Sequence, residues 1–598
     1  MIQQLLNIIK SLVLGLLFFF AARLIFGLVH LDHLSLNAFI VSTYHGASQD
    51  LSVLSYWLLL ALIFNSLAAY SKYRITDVIQ HALYTCMALF LAINIQLYGY
   101  WNYHLDASIL GYLVSPKEAV ASVIAKDVIG VIGFFLLLMA VYVVLTRLLK
   151  LKWSPLRINL SILKFIIPLI IALALLARGG WSTNPMTVSR VFHSTEYAYN
   201  QIAVNPIWNA GFSLTKEHYD YWLLEDEDAQ RYYKRCVTLN DTIENNFHRT
   251  RPKVILIVVE SLSANFIESF GGISGVTPNI DAMANDAIFF DRYYASGDRS
   301  DRGLTTMITG MPAVPGARLL QSIGKLNSSP NINRIVRNYS GRSSFYYGGD
   351  ASFANIRTLF DVVPDTKVID VNSFESSGAL GKWGYHDEVV YNRVLGDIEK
   401  NGLDELTVVF TLSSHEPFDH PRASYSSSKY TKPMYGAIYY ADSCLGSFVN
   451  HLKQLPQWDS TLVVITADHG STKPNGYQIF ESEKYRIPLI LSGGVVTSAK
   501  RYKHVVGQAD LAYTLSDYFN AANNPFHYGK SLFDTTQSFA SYYYQVGAGI
   551  VRDSSELVFD YKLNQVLHTT SENDSITREM KLDILGYSQH AVRTFEGY

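Results

Sequence analysis

A chain of 598 residues is long enough for about three or four domain-sized units. Its formal net charge of −2 argues against a general electrostatic attraction to nucleic acid, so no nucleic-acid partner is expected. Its three cysteines, Cys86, Cys236 and Cys444, are too few for a disulfide framework or a cysteine-based zinc site. Cys236 and Cys444 could form a disulfide if their domain is exported, but two separate thiols fit the sequence at least as well.

The long apolar runs lie almost entirely within residues 1–178. Five of them are each about long enough to cross a hydrocarbon core of ~30 Å. These runs cover approximately residues 5–29, 51–71, 79–100, 127–146 and 158–178. No small-residue cleavage site follows the first run, so we predict a retained anchor and not a signal peptide. The sequence thus predicts an N-terminal α-helical transmembrane bundle of five spans, residues 1–179.

The loops between the apolar runs differ in positive charge, which predicts the orientation of the bundle. Lys10 precedes most of the first run, and the flanks on the same side carry Lys72, Arg74, Arg147, Lys150, Lys152 and Arg157. The opposite set, residues 31–50 and 102–126, carries only Lys117 and Lys126. The N-terminus is therefore predicted inside the cell, and with five spans everything after about residue 179 is predicted outside. An ATP-dependent reaction would lack its nucleotide there, which favours chemistry on a substrate that is already activated.

The composition changes twice after the apolar runs. Residues 180–251 mix aromatic, polar and acidic side chains and are predicted to form a partly helical juxtamembrane connector, although a plain linker explains the same composition. From about residue 252, short β-rich runs alternate with helical segments, a pattern typical of a parallel α/β sheet. We therefore predict an extracytoplasmic α/β domain over residues 252–598.

Four apolar runs of this domain end in groups that can bind a metal ion or a phosphate. VILIVVE ends in Glu260, SSFYYGGD in Asp350, LTVVFTLSSH in His415, and TLVVITADH in Asp468 and His469. A single carboxylate after a strand is usually a turn residue. Four such endings together favour a ligand site, because ligands bind beyond the carboxyl ends of parallel strands. Carboxylate oxygens with one imidazole suit a divalent ion such as Mn²⁺, Mg²⁺ or Zn²⁺.

The stretch YYASGDRSDRGLTTM contains the best candidate for a nucleophile. A helix is predicted to begin in it, with Ser300 at the N-terminus, where backbone N–H groups and the helix dipole favour an anion. Arg299 and Arg302 flank this serine and are predicted to bind a substrate phosphate. A hydroxyl between a metal ion and a helix N-terminus is a credible nucleophile. The alternative is a serine N-cap with solvated arginines, and Thr305 and Thr306 are weaker candidates because they lie deeper in the helix.

Together these motifs resemble the alkaline phosphatase/sulfatase superfamily, and within it the lipoteichoic-acid-synthase-like membrane phosphotransferases. The resemblance rests on VVESLSANF, GVTPNIDAMANDAIFFDRYYASGDRSDRG, ITADHGS and RIPLILSG, in that order and spacing. Residues 184–211 also resemble the family's juxtamembrane connector, and five spans before the catalytic domain match its layout. The resemblance covers nearly the whole chain and implies a sulfatase-like α/β domain.

The resemblance implies a role for each matching residue. A single divalent metal ion, with Mn²⁺ expected and Mg²⁺ or Zn²⁺ as alternatives, would be held by Glu260, Ser300, Asp468 and His469. Ser300 stands where the family usually has a nucleophilic threonine. His415, in SSHEPF, matches a histidine that contacts the transferred group or the leaving oxygen.

The segment GGDASFAN matches the family's substrate-pocket segment only loosely. In this segment Asp350, Phe353 and Asn355 are predicted to contact the substrate, at positions where the family tends to carry tryptophan and arginine. The transferred head group could therefore differ from the family's.

The predicted reaction is a two-step transfer through a covalent Ser300 intermediate. The serine takes a phosphoglycerol-type head group from a phospholipid, with phosphatidylglycerol as the expected donor, and diacylglycerol leaves. A hydroxyl of an envelope glycan or a glycerophosphate then accepts the group, with His415 passing the proton. The enzyme is predicted to be a multi-pass protein of the bacterial cytoplasmic (inner) membrane, with its catalytic domain outside.

Three other functions remain open on the sequence. A phosphoethanolamine transferase would use the same chemistry on another lipid, although such enzymes usually carry several disulfides. A sulfatase would need the pattern C/S-x-P-x-R, and the residues after Ser300 lack that proline. A non-catalytic lipid-sensing or regulatory relative would have no need of Glu260, Asp468 and His469, but serine in place of threonine keeps this alternative open.

Overall fold

A computed structural model gives the structure of the chain. It describes all residues except 1, 32–33, 70–74, 102–103, 106–124, 154–155, 157–159, 182–185, 195–196, 215–220, 238–246, 248–252, 375–379, 422–432, 520–522, 537, 545 and 598. The chain divides into two compact units, Met1–Lys216 with Gln321–Gly324, and Glu217–Leu320 with Lys325–Tyr598. The domain boundaries predicted at residues 179 and 251 stay predictions.

The first unit is built from helices. Its long helices are α1 (Ile2–His30), α2 (Leu36–Ala68), α3 (Ile75–Trp101), α4 (Ala125–Leu149) and α5 (Leu160–Arg178), followed by the short α6 (Tyr197–Ala203) and α7 (Pro206–Ser213). Each long helix contains one of the predicted apolar runs or most of it. Among the described residues, four helices, α1 to α4, are long and apolar enough to cross a membrane. The predicted helical bundle is confirmed, with four candidate spans where the sequence predicts five.

Helix α2 begins at Leu36, well before the apolar run predicted from residue 51. The added turns carry polar side chains that find partners inside the unit. Asp50 forms a buried ion pair with Arg23, and Asn205 Nδ2 donates to Asp50 Oδ1 at 2.8 Å. A buried charge is tolerated only when it is paired, and this pairing lets the helix continue through residues that hydropathy alone assigns to a loop.

Among the described residues, the second unit contains a nine-stranded sheet and a separate four-stranded sheet. The strands of the large sheet are β1 (Lys253–Val259), β2 (Ile288–Tyr294), β3 (Ser343–Tyr347), β4 (Lys367–Ile369), β5 (Leu406–Phe410), β6 (Thr461–Ala467), β7 (Arg486–Ile487), β8 (Leu489–Ser492) and β9 (Lys500–Gly507). Their order is β4-β3-β5-β1-β6-β8-β2-β7, with β9 paired to β2. Strands β3, β5, β1 and β6 run parallel, and β8 joins β6 antiparallel. This sheet confirms the predicted α/β fold class.

The other elements follow the same chain order. The remaining helices are α8 (Asp226–Val237), α9 (Pro278–Ala282), α10 (Ser300–Thr309), α11 (Ile323–Ser328), α12 (Ile332–Asn338), α13 (Thr358–Asp361), α14 (Asp387–Asn401), α15 (Pro433–Leu452), α16 (Gln508–Tyr518) and α17 (Asp574–Gly597). The antiparallel small sheet consists of β10 (Ala540–Tyr544), β11 (Gly547–Val551), β12 (Glu556–Asp560) and β13 (Gln565–Thr569). In the large sheet, β5 and β6 are buried along their whole length, as expected for strands covered on both faces.

The three cysteines are free thiols. Cys236 is buried, Cys86 is exposed and Cys444 is half-buried. The pairing of Cys236 with Cys444 that the sequence left open is therefore not formed in this structure.

Candidate metal and nucleophile site

The carboxyl ends of β1 and β6 bring two carboxylates together. These strands are adjacent and parallel, and Val259 pairs with Ala467, so the next residues, Glu260 and Asp468, lie at the same edge of the sheet. Both side chains are buried. The backbone N–H of Ser261 donates to Asp468 Oδ1 at 2.8 Å, which holds this carboxylate against the end of β1.

His469 completes a cluster of three possible metal ligands. One ligand atom from each of Glu260, Asp468 and His469 lies within 4.8 Å of the others. The imidazole Nε2 is 3.8 Å from Glu260 Oε1 and 3.5 Å from Asp468 Oδ2. The other ring nitrogen, Nδ1, contacts the carbonyl oxygen of Gly470 at 2.8 Å. With Nδ1 as the N–H donor, Nε2 presents a lone pair to the cluster, the arrangement expected of a metal ligand.

Ser300 is the first residue of α10, at the kind of helix N-terminus that the sequence predicts. Its Oγ donates to Glu260 Oε2 at 3.2 Å, so the predicted nucleophile contacts the carboxylate cluster. The hydroxyls of Thr305 and Thr306, the weaker candidates, donate to backbone carbonyl oxygens. Of the three hydroxyls, that of Ser300 is the one bonded to a predicted metal ligand.

The electrostatics of the cluster fit a divalent cation. Burial and the nearby charge of Asp468 raise the pKa of Glu260 well above its ordinary value. Among the described residues, no group forms a hydrogen bond with Asp468 Oδ2, although this oxygen is buried. A bound cation offsets the repulsion between the carboxylates and satisfies that oxygen. Two carboxylates with an imidazole suit Mn²⁺, Mg²⁺ or Zn²⁺, so the residues fit the ion that the resemblance implies.

Gln508, the first residue of α16, joins the two halves of the site. Its Nε2 donates to the carbonyl oxygen of Asp468 at 2.7 Å and to that of Ala467 at 3.2 Å. Its Oε1 accepts from the N–H of Ser296 at 2.9 Å, in the loop that leads to Ser300. One buried amide therefore ties the end of β6 to the nucleophile loop. No motif marks this glutamine in the sequence, because its partners are backbone atoms.

Two further residues fit closely around the cluster. A Cβ on Gly303 would lie 1.8 Å from the carbonyl oxygen of Asp468, so α10 can approach the end of β6 only with glycine at this position. Ser261 has a φ of +55°, and its Oγ donates to Glu260 Oε1 at 2.6 Å and lies 3.3 Å from His469 Nε2. A positive φ is rare for serine and cannot be inferred from the sequence.

His415 lies in a row of aromatic rings. Its ring meets that of Trp383 edge-on with centroids 5.0 Å apart, and Trp383 meets Phe353 at 5.9 Å. His415 Nδ1 contacts the carbonyl oxygen of Glu416 at 2.7 Å, and Trp383 Nε1 donates to the same oxygen at 2.8 Å. The sequence argument misses Trp383, because this residue does not follow a strand.

A cavity of about 620 Å³ reaches from Ser261, which bonds to Glu260, to His415. Its lining includes Ser261, His415, Phe266, Tyr435 and Lys473. It thus offers hydroxyl, imidazole, aromatic and cationic groups next to the candidate nucleophile site. A cavity with a few polar groups among apolar ones is the usual form of a small-molecule site.

The two arginines beside Ser300 are placed differently. The Arg299 side chain is 64% exposed, and its Nε lies 3.6 Å from Asp301 Oδ1. The Arg302 side chain is 10% exposed and forms an ion pair with Asp298 at 3.0 Å. The charge of Arg302 is therefore balanced within the loop, and Arg299 is the more accessible of the two predicted phosphate contacts.

Within the segment 350–355, Phe353 is the residue whose ring lies in the aromatic row. Asp350 Oδ1 accepts from the N–H of Ser352 at 2.9 Å and closes a turn. Asn355 is buried, and its Nδ2 donates to the carbonyl oxygen of Leu320 at 2.9 Å. The predicted substrate contacts of Asp350 and Asn355 stay predictions, since both side chains bond within the fold.

The sheet, the carboxylate–imidazole cluster and the serine at a helix N-terminus together form an α/β domain with a candidate metal and nucleophile site. The chain resembles a protein in the alkaline phosphatase superfamily from Vibrio parahaemolyticus, with a TM-score of 0.54 and 21% identity over 63% of this chain and 98% of that one. It also resembles the lipoteichoic acid synthase LtaP from Listeria monocytogenes, with a TM-score of 0.51 and 18% identity over 62% and 98%. At these identities the likeness establishes the fold.

Sequence comparison finds one matching family model and several relatives. Residues 252–521 match the Sulfatase family and form a sulfatase-family domain. The chain is 21% identical over 381 residues to lipoteichoic acid synthase 2 of Bacillus subtilis. The aligned residues cover 56% of this chain and 58% of that protein. It is 23% identical over 236 residues to lipoteichoic acid synthase 1 of the same organism, which covers 37% of each. The predicted resemblance is confirmed, and the chain spans little more than half the length of lipoteichoic acid synthase 2.

Proposed function

We propose that the protein transfers a phosphoglycerol-type head group from a membrane phospholipid to an acceptor hydroxyl, with Ser300 as the nucleophile. One observation carries this proposal. The Ser300 Oγ lies 3.2 Å from Glu260 Oε2, at a helix N-terminus and beside a cluster of three possible metal ligands. The relatives are named lipoteichoic acid synthases, which supports a glycerophosphate-type group and phosphatidylglycerol as the expected donor.

The implied metal ion, with Mn²⁺ expected, would be held by Glu260, Ser300, Asp468 and His469. When bound, such an ion lowers the pKa of a hydroxyl and polarises a phosphoryl oxygen. The N-terminus of α10 adds backbone N–H groups and the positive end of the helix dipole beside Ser300. Arg299, exposed next to this serine, supplies a guanidinium for a phosphate oxygen.

The reaction proceeds in two displacements at phosphorus. In the first, Ser300 Oγ forms a bond to phosphorus, the bond to the diacylglycerol oxygen breaks, and the serine proton ends on diacylglycerol. In the second, the acceptor oxygen forms a bond to phosphorus, the Ser300 ester breaks, and the acceptor proton returns to the serine. His415 is the proposed proton carrier in both steps, because its Nδ1 is held by the Glu416 carbonyl and its Nε2 remains for proton transfer.

The helical unit supports a lipid donor. Among the described residues, four helices are long and apolar enough to cross a membrane. We place the protein in the bacterial cytoplasmic membrane as a multi-pass protein, with the sulfatase-family domain outside, as the distribution of basic residues predicts. The donor lipid then lies in the membrane that anchors the enzyme, and the acceptor is an envelope glycan or a glycerophosphate.

The test uses the purified full chain and phosphatidylglycerol labelled in its head group, with Mn²⁺ and after chelation. We expect labelled protein and released diacylglycerol with the wild type and Mn²⁺, and neither with Ser300→Ala. Thr305→Ala is the matched control, since it removes a hydroxyl of the same helix that donates to a backbone carbonyl. This control should keep its label.

The other outcomes separate the competing functions. Labelling from phosphatidylethanolamine alone would replace the proposal with a phosphoethanolamine transferase. If Ser300→Ala is labelled to the same extent as the wild type, this serine is not the nucleophile. The absence of bound metal, together with no diacylglycerol release from either lipid, would favour a non-catalytic lipid-sensing relative.

A further inference from the structure

A cavity of about 830 Å³ lies within the helical unit. Its lining comes from α2 between Val53 and Leu60, from α3 between Leu83 and Met87, from the end of α5 and from α7. The α2 stretch covers about two helical turns, or ~10 Å along the helix axis. Since α2 and α3 are candidate membrane spans, this cavity lies among helices that we place in the hydrocarbon of the membrane.

The cavity is apolar over most of its lining and cationic at one end. Arg178, the last residue of α5, is the charged residue in the lining. Beside it, Ser52 Oγ donates to the carbonyl oxygen of Ala177 at 2.6 Å, and Trp208 Nε1 donates to Ser52 Oγ at 3.2 Å. Trp208 stacks on Phe212 with centroids 5.0 Å apart, so α7 contributes two parallel aromatic rings near the charge.

The α3 side of the cavity is formed in part by Tyr84. Tyr84 lines the cavity and is fully buried, and among the described residues no group forms a hydrogen bond with its hydroxyl. Its ring is held in place by Phe18, with centroids 5.2 Å apart, and by Tyr142, at 4.6 Å. The Tyr84 ring therefore gives the α3 side of the cavity a rigid wall.

We propose that this cavity binds one molecule of an anionic glycerophospholipid. The phosphate lies at Arg178, and an acyl chain lies along α2 and α3. This order of groups matches the lining, which has a cation and aromatic rings at one end and apolar side chains beyond them. Lipid tails are as apolar as the lining, so the selectivity comes from the charge and the fit.

The proposal goes beyond the transfer reaction. It assigns a lipid site to the helical unit and holds whether or not the bound lipid is the donor. The failure of one therefore leaves the other standing, since lipid capture by the helices and labelling of Ser300 are separate measurements.

The test captures lipid on the full chain in nanodiscs. The probes are phosphatidylglycerol and diacylglycerol that carry a photoactivatable group in one acyl chain, and cross-linked peptides are identified by mass spectrometry. In the wild type we expect cross-links to concentrate on residues 53–60, 83–87 and 207–212. Capture should depend on the phosphate, so phosphatidylglycerol should exceed diacylglycerol.

Two substitutions and one control sharpen the test. Gly211 lines the cavity, and a Cβ there would meet no described atom within 4 Å, so Gly211→Leu adds an apolar side chain at the cavity wall with room for its first atom. Gly133, exposed in α4, has equally open surroundings, and Gly133→Leu makes the same chemical change outside the cavity. Arg178→Gln removes the charge from an exposed helix end.

We expect Gly211→Leu to lose most of the cavity cross-links and Gly133→Leu to keep them. Arg178→Gln should lower capture of phosphatidylglycerol by about fivefold, the effect of one cation on an anionic lipid, and leave diacylglycerol unchanged. Cross-links spread evenly over the outer faces of α1 and α4 would overturn the proposal. So would equal capture by Gly211→Leu and Gly133→Leu, or cross-links between two protein copies at this cavity. If Gly211→Leu does not fold, the Arg178→Gln comparison still decides.

Discussion

Two regions beyond the carboxyl ends of the large sheet hold their polar side chains in different ways. In the first, which we call the strand-end cluster, side chains face one another; its members are Glu260, Ser300, Asp468 and His469. In the second, the segment 350–355, Asp350 and Asn355 bond to nearby backbone. A residue directly after a buried parallel strand takes its position from the sheet, whereas a loop residue takes its position from the hydrogen bonds of the loop.

The largest expected effect lies in the strand-end cluster. Asp468→Asn keeps the size of the side chain and removes one charge from the predicted metal site. We expect the bound metal to be lost and the transfer rate to fall by a factor on the order of 10³, since a metal ion contributes several kcal/mol to phosphoryl transfer. Elemental analysis of the purified protein and turnover of labelled lipid measure the two effects.

The same substitution has a different effect on the chelated protein. The raised pKa of Glu260 means that the folded protein keeps a proton that the unfolded chain releases near pH 4.5. The stability of the chelated wild type therefore falls as the pH rises above that value. Asp468→Asn removes the neighbouring charge, so its chelated form should have a flatter dependence of Tm on pH.

The control for metal binding is Asp442→Asn, which changes another buried carboxylate, one that is bonded to Asn279. This variant should keep its metal, and equal metal loss in both variants would contradict a specific site.

The next effect concerns the support of the cluster. Gln508→Ala removes the donor to the Asp468 carbonyl and the acceptor for the N–H of Ser296. We expect metal affinity to fall by about 10–100-fold, the usual cost of losing a group that orients metal ligands. Titration calorimetry on the full chain measures this affinity.

A second buried glutamine provides the matched control for Gln508. Gln589 bonds both the N–H and the carbonyl oxygen of Leu224, so Gln589→Ala should lower the Tm in a similar way. It should leave metal affinity unchanged. If both variants lose stability and neither loses metal affinity, Gln508 is a structural residue and not a positioning residue for the site.

The fold class and the members of the strand-end cluster can be predicted from the sequence for a physical reason. Buried parallel strands read as unbroken apolar runs, and the residue after each run must lie at the common edge of the sheet. The position of Ser300 can be predicted because a helix N-terminus has its own sequence pattern.

Other features depend on contacts that no local pattern encodes. Gln508 acts on backbone atoms, so its partners leave no trace in side-chain spacing. Trp383 lies in a loop, and its neighbours Phe353 and His415 are distant in sequence. The early start of α2 depends on the Arg23–Asp50 pair, which a hydropathy profile cannot show.

An intermediate effect is expected in the aromatic row. Trp383→Ala removes the ring between Phe353 and His415, together with the Nε1 donor to the Glu416 carbonyl. Aromatic contacts of this kind are worth about 0.5–1.5 kcal/mol, so we expect turnover to fall by up to about tenfold. Trp383→Phe keeps a ring and loses the donor, and it should recover most of the rate. A Trp383→Ala variant with wild-type turnover would remove the aromatic row from the substrate site.

The smallest expected effect on turnover is at Asn355. Asn355→Ala leaves the buried Leu320 carbonyl without its donor, which should lower the free energy of unfolding by about 1–3 kcal/mol. The transfer rate per folded molecule should stay near that of the wild type, because this amide bonds to the fold. Phe353→Ala, in the same segment, should do the reverse and lower turnover more than stability. If Asn355→Ala lowers turnover at unchanged Tm, this amide contacts the substrate as the resemblance implies, and the distinction between the two regions fails.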